Sequence, residues 1–243
     1  MIKRLYLFVI FCSLTICSFA SQPDLEVPKW SPCNLEFKST TTPINPFTVG
    51  ISANITGPKG IAIKLEGFYD GNNTWKIRFS PTIEGKWAIT THSDIPDLNN
   101  KQAQVLCVGN DNKNIHGELQ IDPVIKHHFI FEDGTRYFPL GYEANWLWAM
   151  DEYDNSLPTL NPFLDKLSKY GFNFVLVNAY CYDTKWCLGK TSAEDYGPSS
   201  LFPWGGSYQN PDYSHFNLDY WQHFDKVVEA LNQRGIGLHF YKS

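Results

Sequence analysis

Apolar and polar residues alternate in short runs between about residues 27 and 122, and turn residues separate the runs. A period of two predicts an antiparallel sheet with one buried face. In the segment TWKIRFSP, Trp75, Ile77 and Phe79 fall on one face, whereas Lys76 and Arg78 fall on the other. About seven such runs within about ninety-five residues favour an immunoglobulin-like β-sandwich, with a small barrel as the alternative.

After Asp122 the period changes. FPLGYEANW is typical of a strand that runs into a loop, and FNFVLVNAY and IGLHFY are continuous apolar runs of the kind found in parallel strands. Two segments between them have helical spacing, NPFLDKLSKYG and NLDYWQHFDKVVEALNQRG. The first predicted helix has its apolar positions at Phe163, Leu164, Leu167 and Tyr170. The order β-α-β-α-β predicts a parallel sheet with right-handed crossovers.

These patterns together predict a multidomain fold, an all-β immunoglobulin-like sandwich over 21–122 followed by the first part (β-α-β-α-β) of a (β/α)8 TIM barrel over 123–243. An open doubly wound sheet is the alternative, but no GxGxxG motif follows either early strand. A complete barrel needs about 200 to 250 residues. We therefore expect the chain to contain only three of the eight barrel strands.

The first twenty residues resemble a signal peptide. Lys3 and Arg4 precede a short apolar run that ends at Ala20 with small residues around it, and we expect cleavage after Ala20. A membrane anchor is the alternative, although the run is short for a span of about 20 residues. The expected product is secreted or periplasmic, with no membrane contact after cleavage.

Export affects the interpretation of the cysteines, because disulfides persist outside the cytoplasm. Cleavage at Ala20 leaves four of them: Cys33, Cys107, Cys181 and Cys187. Bridges Cys33–Cys107 and Cys181–Cys187 would each stay within one region, and free buried thiols are the alternative. No Cys or His spacing indicates zinc.

Charge and composition exclude some partners. The chain has 20 Lys and Arg against 25 Asp and Glu, a formal net charge of -5, and 43% of its residues are hydrophobic. It lacks the basic stripe that nucleic acid requires, so nucleic acid is not an expected partner.

Barrel enzymes carry their function at the carboxyl ends of the strands and in the loops that follow. In this chain those segments are rich in aromatic, amide and acidic side chains, namely Tyr142, Asn145, Trp146, Trp148, Asn178, Tyr180, Tyr182, Asp183, Trp186, Trp204 and Tyr208. Aromatic rings stack on sugar rings while amides and carboxylates bind hydroxyls. Packing of the loop against the barrel rim is the alternative role for about half of these aromatics.

Two further polar residues lie at predicted strand ends. Glu143 is a candidate acid or base, but glycoside hydrolysis usually needs a pair of carboxylates roughly 5 to 10 Å apart, and no partner is evident. His239 could contact a sugar hydroxyl or be a hydrogen-bonded core residue. No G-x-S-x-G motif supports acyl hydrolysis.

Several segments resemble a known family, the secreted glycoside hydrolases related to apiosidases. They are RFSPTIEGKW, IHGELQI, HHFIFEDGTRYFPLGYEANW and SHFNLDYWQHFDKVVEALNQRGIGLHF. The resemblance implies an immunoglobulin-like domain before a (β/α)8 barrel, a retaining mechanism on plant or microbial polysaccharide, and catalytic carboxylates at the ends of strands four and seven, which this chain lacks.

The same resemblance implies substrate contacts rather than proton transfer. Together with the aromatic pattern it gives the predicted substrate-binding residues Trp146, Asn178, Tyr180, Trp186 and His239. It implies neither a cofactor nor a metal, and the oligomeric state stays open. By this interpretation the 243-residue chain is a glycoside hydrolase fragment without its own catalytic pair, and Glu143 is its remaining candidate.

A different class of function is a secreted, non-catalytic carbohydrate-binding protein. Exposed aromatic side chains on one face of the sandwich would favour it. Trp75 and Trp87 alternate with polar residues, and we expect both to face the core.

Overall fold

The computed structural model describes residues 25–178, 199–207 and 209–241. The strands in these residues are β1 (Leu25–Pro28), β2 (Cys33–Lys38), β3 (Ile51–Thr56), β4 (Ala62–Glu66), β5 (Phe68–Tyr69), β6 (Thr74–Phe79), β7 (Gly85–Ser93), β8 (Gln102–Val108), β9 (Leu119–Ile121), β10 (Phe129–Phe131), β11 (Arg136–Tyr137), β12 (Gly141–Glu143), β13 (Phe174–Asn178), β14 (Trp204–Ser207), β15 (Asn210–Phe216) and β16 (Gly237–Tyr241). The helices are α1 (Leu160–Lys169) and α2 (Leu218–Gln233). Among the described residues, neither helix is long and apolar enough to cross a bilayer.

Strands β1 to β8 form two sheets around one hydrophobic core. The larger sheet has the order β1-β8-β7-β3-β4 and the smaller one β2-β6-β5. The alternation in β6 is confirmed, since Trp75, Ile77 and Phe79 are buried. Trp87 is also buried, 1% exposed. Neither tryptophan is therefore available to a sugar on the sandwich surface, which removes them as support for the carbohydrate-binding alternative.

The predicted bridge between Cys33 and Cys107 is not formed. Both residues are free thiols, one on β2 and the other on β8, so the alternative of free thiols describes them. Cys107 is buried and Cys33 is partly buried. Burial raises the pKa of the Cys33 thiol to about 11. Cys181, Cys187 and the predicted signal peptide lie outside the described residues.

The strand predicted from GELQID forms, but it does not join the sandwich. It is β9, and it pairs antiparallel with β10 in a separate sheet of order β11-β10-β9. The reason is that β8, the preceding strand, already pairs with β1 on one side and β7 on the other. The last strand of the sandwich is therefore β8, which ends at Val108.

The second core lies around a parallel sheet. Strands β12, β13 and β16 pair in parallel in that order, as the predicted β-α-β-α-β alternation requires. Helices α1 and α2 cover one face of this sheet, where Val175 and Val177 are fully buried. A complete (β/α)8 barrel stays a prediction. Tyr170, predicted on the buried stripe of α1, is 71% exposed, because it caps the helix end and has left the helical conformation.

Helix α2 connects the two cores. The Arg78 guanidinium on β6 donates to both carboxylate oxygens of Asp225, over 2.8 and 2.5 Å. Gln222 Nε2 donates to the Asp70 carbonyl over 3.0 Å. The hairpin β14–β15, which the sequence pattern did not predict, also reaches the sandwich, where Phe47 packs against Phe216 with ring centroids 5.7 Å apart.

Candidate functional site

Among the described residues, no helix covers one face of the parallel sheet, and the polar side chains of that face cluster at the carboxyl end. Glu143 pairs with Leu176, which pairs with His239, so these three residues form one row across the sheet. Their neighbours Val175 and Val177 pack into the helix-covered core. Because side chains alternate along a strand, the row lies on the opposite, helix-free face.

Within this row, Glu143 and His239 are separated by one intervening strand. Two strand spacings place their backbones about 10 Å apart. Both residues are exposed. Asn145 Nδ2 donates to Glu143 Oε1 over 2.9 Å, and this bond orients the carboxylate. The two side chains can bind separate hydroxyls of one saccharide, but they are too far apart to exchange a proton directly.

Asn178 is the last residue of β13 and lies on the same face, two positions beyond Leu176. It is buried, 8% exposed. An amide group offers two donors and an acceptor, which suits a pair of vicinal hydroxyls. Glu143, Asn178 and His239 thus provide carboxylate, amide and imidazole groups at one edge of the sheet. We define these three residues, together with Trp146, as the rim.

Trp146 follows β12 with a backbone conformation that bulky residues rarely adopt. Its φ is 61°, in the left-handed region, and it precedes the 3-10 turn Leu147–Ala149. Its indole Nε1 is buried and has no hydrogen-bond partner among the described residues. A left-handed backbone at a residue with a side chain costs about 1 kcal/mol, and such strain persists where the surroundings enforce it, often at functional sites.

Polar contacts hold the segment after Trp146 in place. Asp151 caps α1, since its Oδ2 accepts from the amides of Thr159 and Leu160 over 2.7 and 2.8 Å. The Glu152 carboxylate accepts from the amide and the hydroxyl of Ser200. The segment between β12 and α1 is thereby fixed at both its turn and its end, which preserves the position of Trp146.

A buried histidine that sequence reasoning missed lies beneath this segment. His223 on α2 is 5% exposed, and burial lowers its pKa. The carbonyls of Trp148 and Met150 are near its ring, yet within the described part of the chain neither ring nitrogen makes a hydrogen bond of regular geometry. The sequence did contain a signal for its burial: His223 is three residues after Tyr220 and four before Val227, on the apolar face of the helix.

Two aromatics predicted for the substrate-facing segments face the helices instead, Trp148 within the core and Tyr142 at its edge, where it is 38% exposed. Trp148 is 1% exposed and packs against Tyr220 and Phe224 of α2, because the 3-10 turn directs it toward the helices. Tyr142 contacts Phe163 at 5.7 Å on the helix-covered face, as its position next to Glu143 requires. Trp204 lies in the hairpin, with its ring against Tyr213.

The remaining predicted residues cannot be placed on the rim. Tyr180, Tyr182, Asp183, Trp186 and Tyr208 lie outside the described residues. Of the predicted substrate-binding residues, the structure brings Asn178 and His239 to the same face of the sheet. Trp146 lies in the loop after the first strand, which ends at Glu143. Within the described ranges, no group of three or more His, Cys, Asp or Glu side chains could hold a metal ion.

Comparisons with known proteins bear on this site. Residues 26–94 match the model of a domain of unknown function, DUF5060. A solved structure of a putative glycoside hydrolase from Bacteroides vulgatus is 28% identical, with a TM-score of 0.74, over 90% of this chain and 41% of its own. The chain thus spans less than half of that relative. The likeness supports a general relation to glycoside hydrolases.

Two other solved structures are more distant. A family 39 glycoside hydrolase from Bacteroides cellulosilyticus is 12% identical over 91% of this chain and 33% of its own, with a TM-score of 0.26. A pullulanase from Bacillus acidopullulyticus is 12% identical over 90% of this chain and 29% of its own, with a TM-score of 0.22. Neither score indicates a shared fold. No curated protein matches the chain.

Proposed function

We propose that the chain is the sugar-orienting part of a secreted or periplasmic glycoside hydrolase that is similar to the apiosidase-related family. Its substrate is a plant or microbial polysaccharide. The sandwich would be the immunoglobulin-like domain of that family, and the parallel sheet would be the first three strands of the (β/α)8 barrel. No cofactor enters the proposal.

The observation that carries this proposal is the clustering of Glu143, Asn178 and His239 at one end of the helix-free face. In a barrel this face is the interior and this end is where substrates bind. Trp146 adds an aromatic ring in the loop that follows the first strand. A carboxylate, an amide, an imidazole and an indole are a suitable set for a neutral sugar.

The proposed role of this set is binding and orientation. Among the described residues of β12, β13 and β16, the helix-free face carries a single carboxylate, that of Glu143. Glycoside hydrolysis through an oxocarbenium-like transition state uses a pair. By family resemblance, the acid/base and the nucleophile of the retaining mechanism would come from strands four and seven, and the rim would hold the sugar against them.

Calorimetric titration with neutral hexasaccharides tests the proposal. The titrants are cellohexaose, xylohexaose, mannohexaose and maltohexaose, and His239→Ala is the test variant. His239 is exposed, so its removal should leave the fold intact. Loss of one neutral hydrogen bond, worth about 1 kcal/mol, should weaken the best ligand about fivefold.

The matched control is His127→Ala, because His127 is also exposed but lies between β9 and β10. These two strands belong to the sheet β11-β10-β9, which we call the linker sheet. It should bind like the unsubstituted chain. Equal weakening by both variants, or no effect of His239→Ala, would contradict the placement of the sugar on the rim.

A further inference from the structure

A cavity lies at the end of the parallel sheet opposite the rim, between the sandwich, the linker sheet and α2. Its volume is about 470 Å³, within the usual range of about 300 to 1,000 Å³ for ligand pockets. Asn173, directly before β13, and Gly237, the first residue of β16, both line it. It is thus at the amino ends of strands whose carboxyl ends carry the rim. Five strand residues separate the two sites by about 15 Å.

Three aromatic side chains line this cavity. Trp30 comes from the sandwich, and Phe131 and Tyr137 come from the linker sheet. Trp30 Nε1 donates to Glu132 Oε2 over 3.0 Å, which fixes the indole plane. The Phe131 and Tyr137 rings meet edge to face at 5.2 Å. Fixed aromatic rings of this kind are the usual platforms for the apolar faces of sugars.

The cavity walls are held by close packing at two glycines. A Cβ at Gly117 would come within 2.8 Å of the Trp30 ring, and one at Gly235 within 2.7 Å of the Asn114 carbonyl oxygen. Both have positive φ, 86° and 66°. Asn114 Nδ2 also donates to the Gln233 carbonyl near the end of α2. These contacts join the three parts of the wall, so the cavity is largely preformed.

The polar groups of the lining select for neutral or weakly polar ligands. No Lys or Arg is among the lining residues, whereas Glu118 and Glu132 are. His116 Nδ1 forms a hydrogen bond of 2.8 Å with Asp133 Oδ2, whereas His116 Nε2 has no hydrogen-bond partner among the described residues. Ser80, Thr82 and Asn232 add hydroxyl and amide groups. The Lys29 ammonium lies over the Trp30 ring, 3.8 Å from its centroid, so one cation stands against two carboxylates and an anionic ligand would meet a net negative charge.

We propose that this cavity is a second carbohydrate site, which binds a neutral oligosaccharide through Trp30, Phe131 and Tyr137. The inference rests on the proposed function for the class of ligand, but it concerns a different surface. A second site would hold a polysaccharide chain to the protein independently of the rim and raise its local concentration there.

The test is calorimetric titration of the full chain with the same four neutral hexasaccharides and with hexagalacturonate. Two variants block the cavity from different walls: Asn232→Trp on α2 and Thr82→Tyr on the sandwich. Neither side chain makes a hydrogen bond within the described residues, so the fold should survive. Glu229→Trp, exposed elsewhere on α2, is the matched control. Trp146→Gly removes the rim platform.

We expect two neutral hexasaccharides to bind per chain. Each blocking variant should lose the one in the cavity, and Trp146→Gly should lose the one on the rim. Hexagalacturonate should not bind in the cavity. One sugar per chain, lost only with Trp146→Gly, would overturn the second site and leave the proposed function standing. No sugar binding by the unsubstituted chain would overturn both. Circular dichroism of each variant separates blocking from unfolding.

Discussion

Trp146 and Trp148 are two residues apart in sequence, but they differ in burial, and the proposed function gives only Trp146 a role in sugar binding. Trp146→Gly tests this difference. Trp146 has a φ of 61° and is partly buried, whereas Trp148 is 1% exposed in the core. Glycine relieves left-handed strain of about 1 kcal/mol but costs about 0.5 to 1 kcal/mol of additional unfolded-state entropy. These two contributions nearly cancel.

What remains is the loss of a partly buried indole, about 1 to 2 kcal/mol by area. Trp146→Gly should therefore lower the free energy of unfolding by only about 1 to 2 kcal/mol, while affinity for the best neutral hexasaccharide falls about tenfold as the stacking platform disappears. The comparison variant Trp148→Ala should cost about 3 to 5 kcal/mol, since it empties a buried site.

Urea unfolding followed by circular dichroism gives the stabilities, and calorimetry gives the affinities. A loss of 3 kcal/mol or more in Trp146→Gly with unchanged sugar binding would show that Trp146 is a core anchor. The reasoning about the strained turn would then be wrong.

Three further predictions concern packing, thiols and pH. Asp225→Asn removes one charge from the bidentate ion pair between Asp225 and Arg78, in which both side chains are 36% exposed. The urea midpoint should fall by the equivalent of about 1 kcal/mol, and by less in high salt. An unchanged midpoint would mean that the pair does not join the cores. Burial keeps the Cys33 thiol protonated at pH 7.5. Neither Cys33 nor Cys107 should therefore react with iodoacetamide before the protein unfolds. A disulfide between them in a non-reducing peptide mass map would show that the thiols are not free. Burial lowers the pKa of His223 below its unfolded value of about 6.5, so the unfolded state binds more protons than the folded state. The free energy of unfolding should therefore fall as pH decreases through 6.5, and His223→Leu should flatten this pH dependence between pH 7.5 and 5.5. An unaltered pH dependence in the variant would mean that another group binds the proton.

Periodicity predicted the elements of this chain well because burial enforces it. The alternation in β6 and the apolar run of β13 each bury residues on the expected side, whereas in β16 Leu238 is only partly buried and Phe240 is 43% exposed. The pairing of β9 was not predictable in this way, since all three of its residues are exposed. β9 pairs with β10 because both edges of β8 are already paired. That depends on the arrangement of the whole sheet and not on the sequence of β9.

The placement of three candidate side chains at one sheet edge was predictable from the sequence, whereas the placement of the loop aromatics was not. Strand ends marked Glu143, Asn178 and His239, because the carboxyl ends of parallel strands meet at one edge. The loop aromatics could not be sorted from sequence, since a single turn with positive φ at Trp146 sends Trp148 into the core. The cavity beside Trp30 was missed because its walls come from three distant segments.

The central claim is that this chain binds and orients sugar without a catalytic pair of its own. Release of reducing ends from xylan, β-glucan and mannan by the 243-residue chain tests it most directly, beside Glu143→Gln. We predict no release above a heat-inactivated control by either protein, although the unsubstituted chain binds a neutral hexasaccharide. Turnover by the unsubstituted chain that disappears in Glu143→Gln would contradict the account and make Glu143 a catalytic residue.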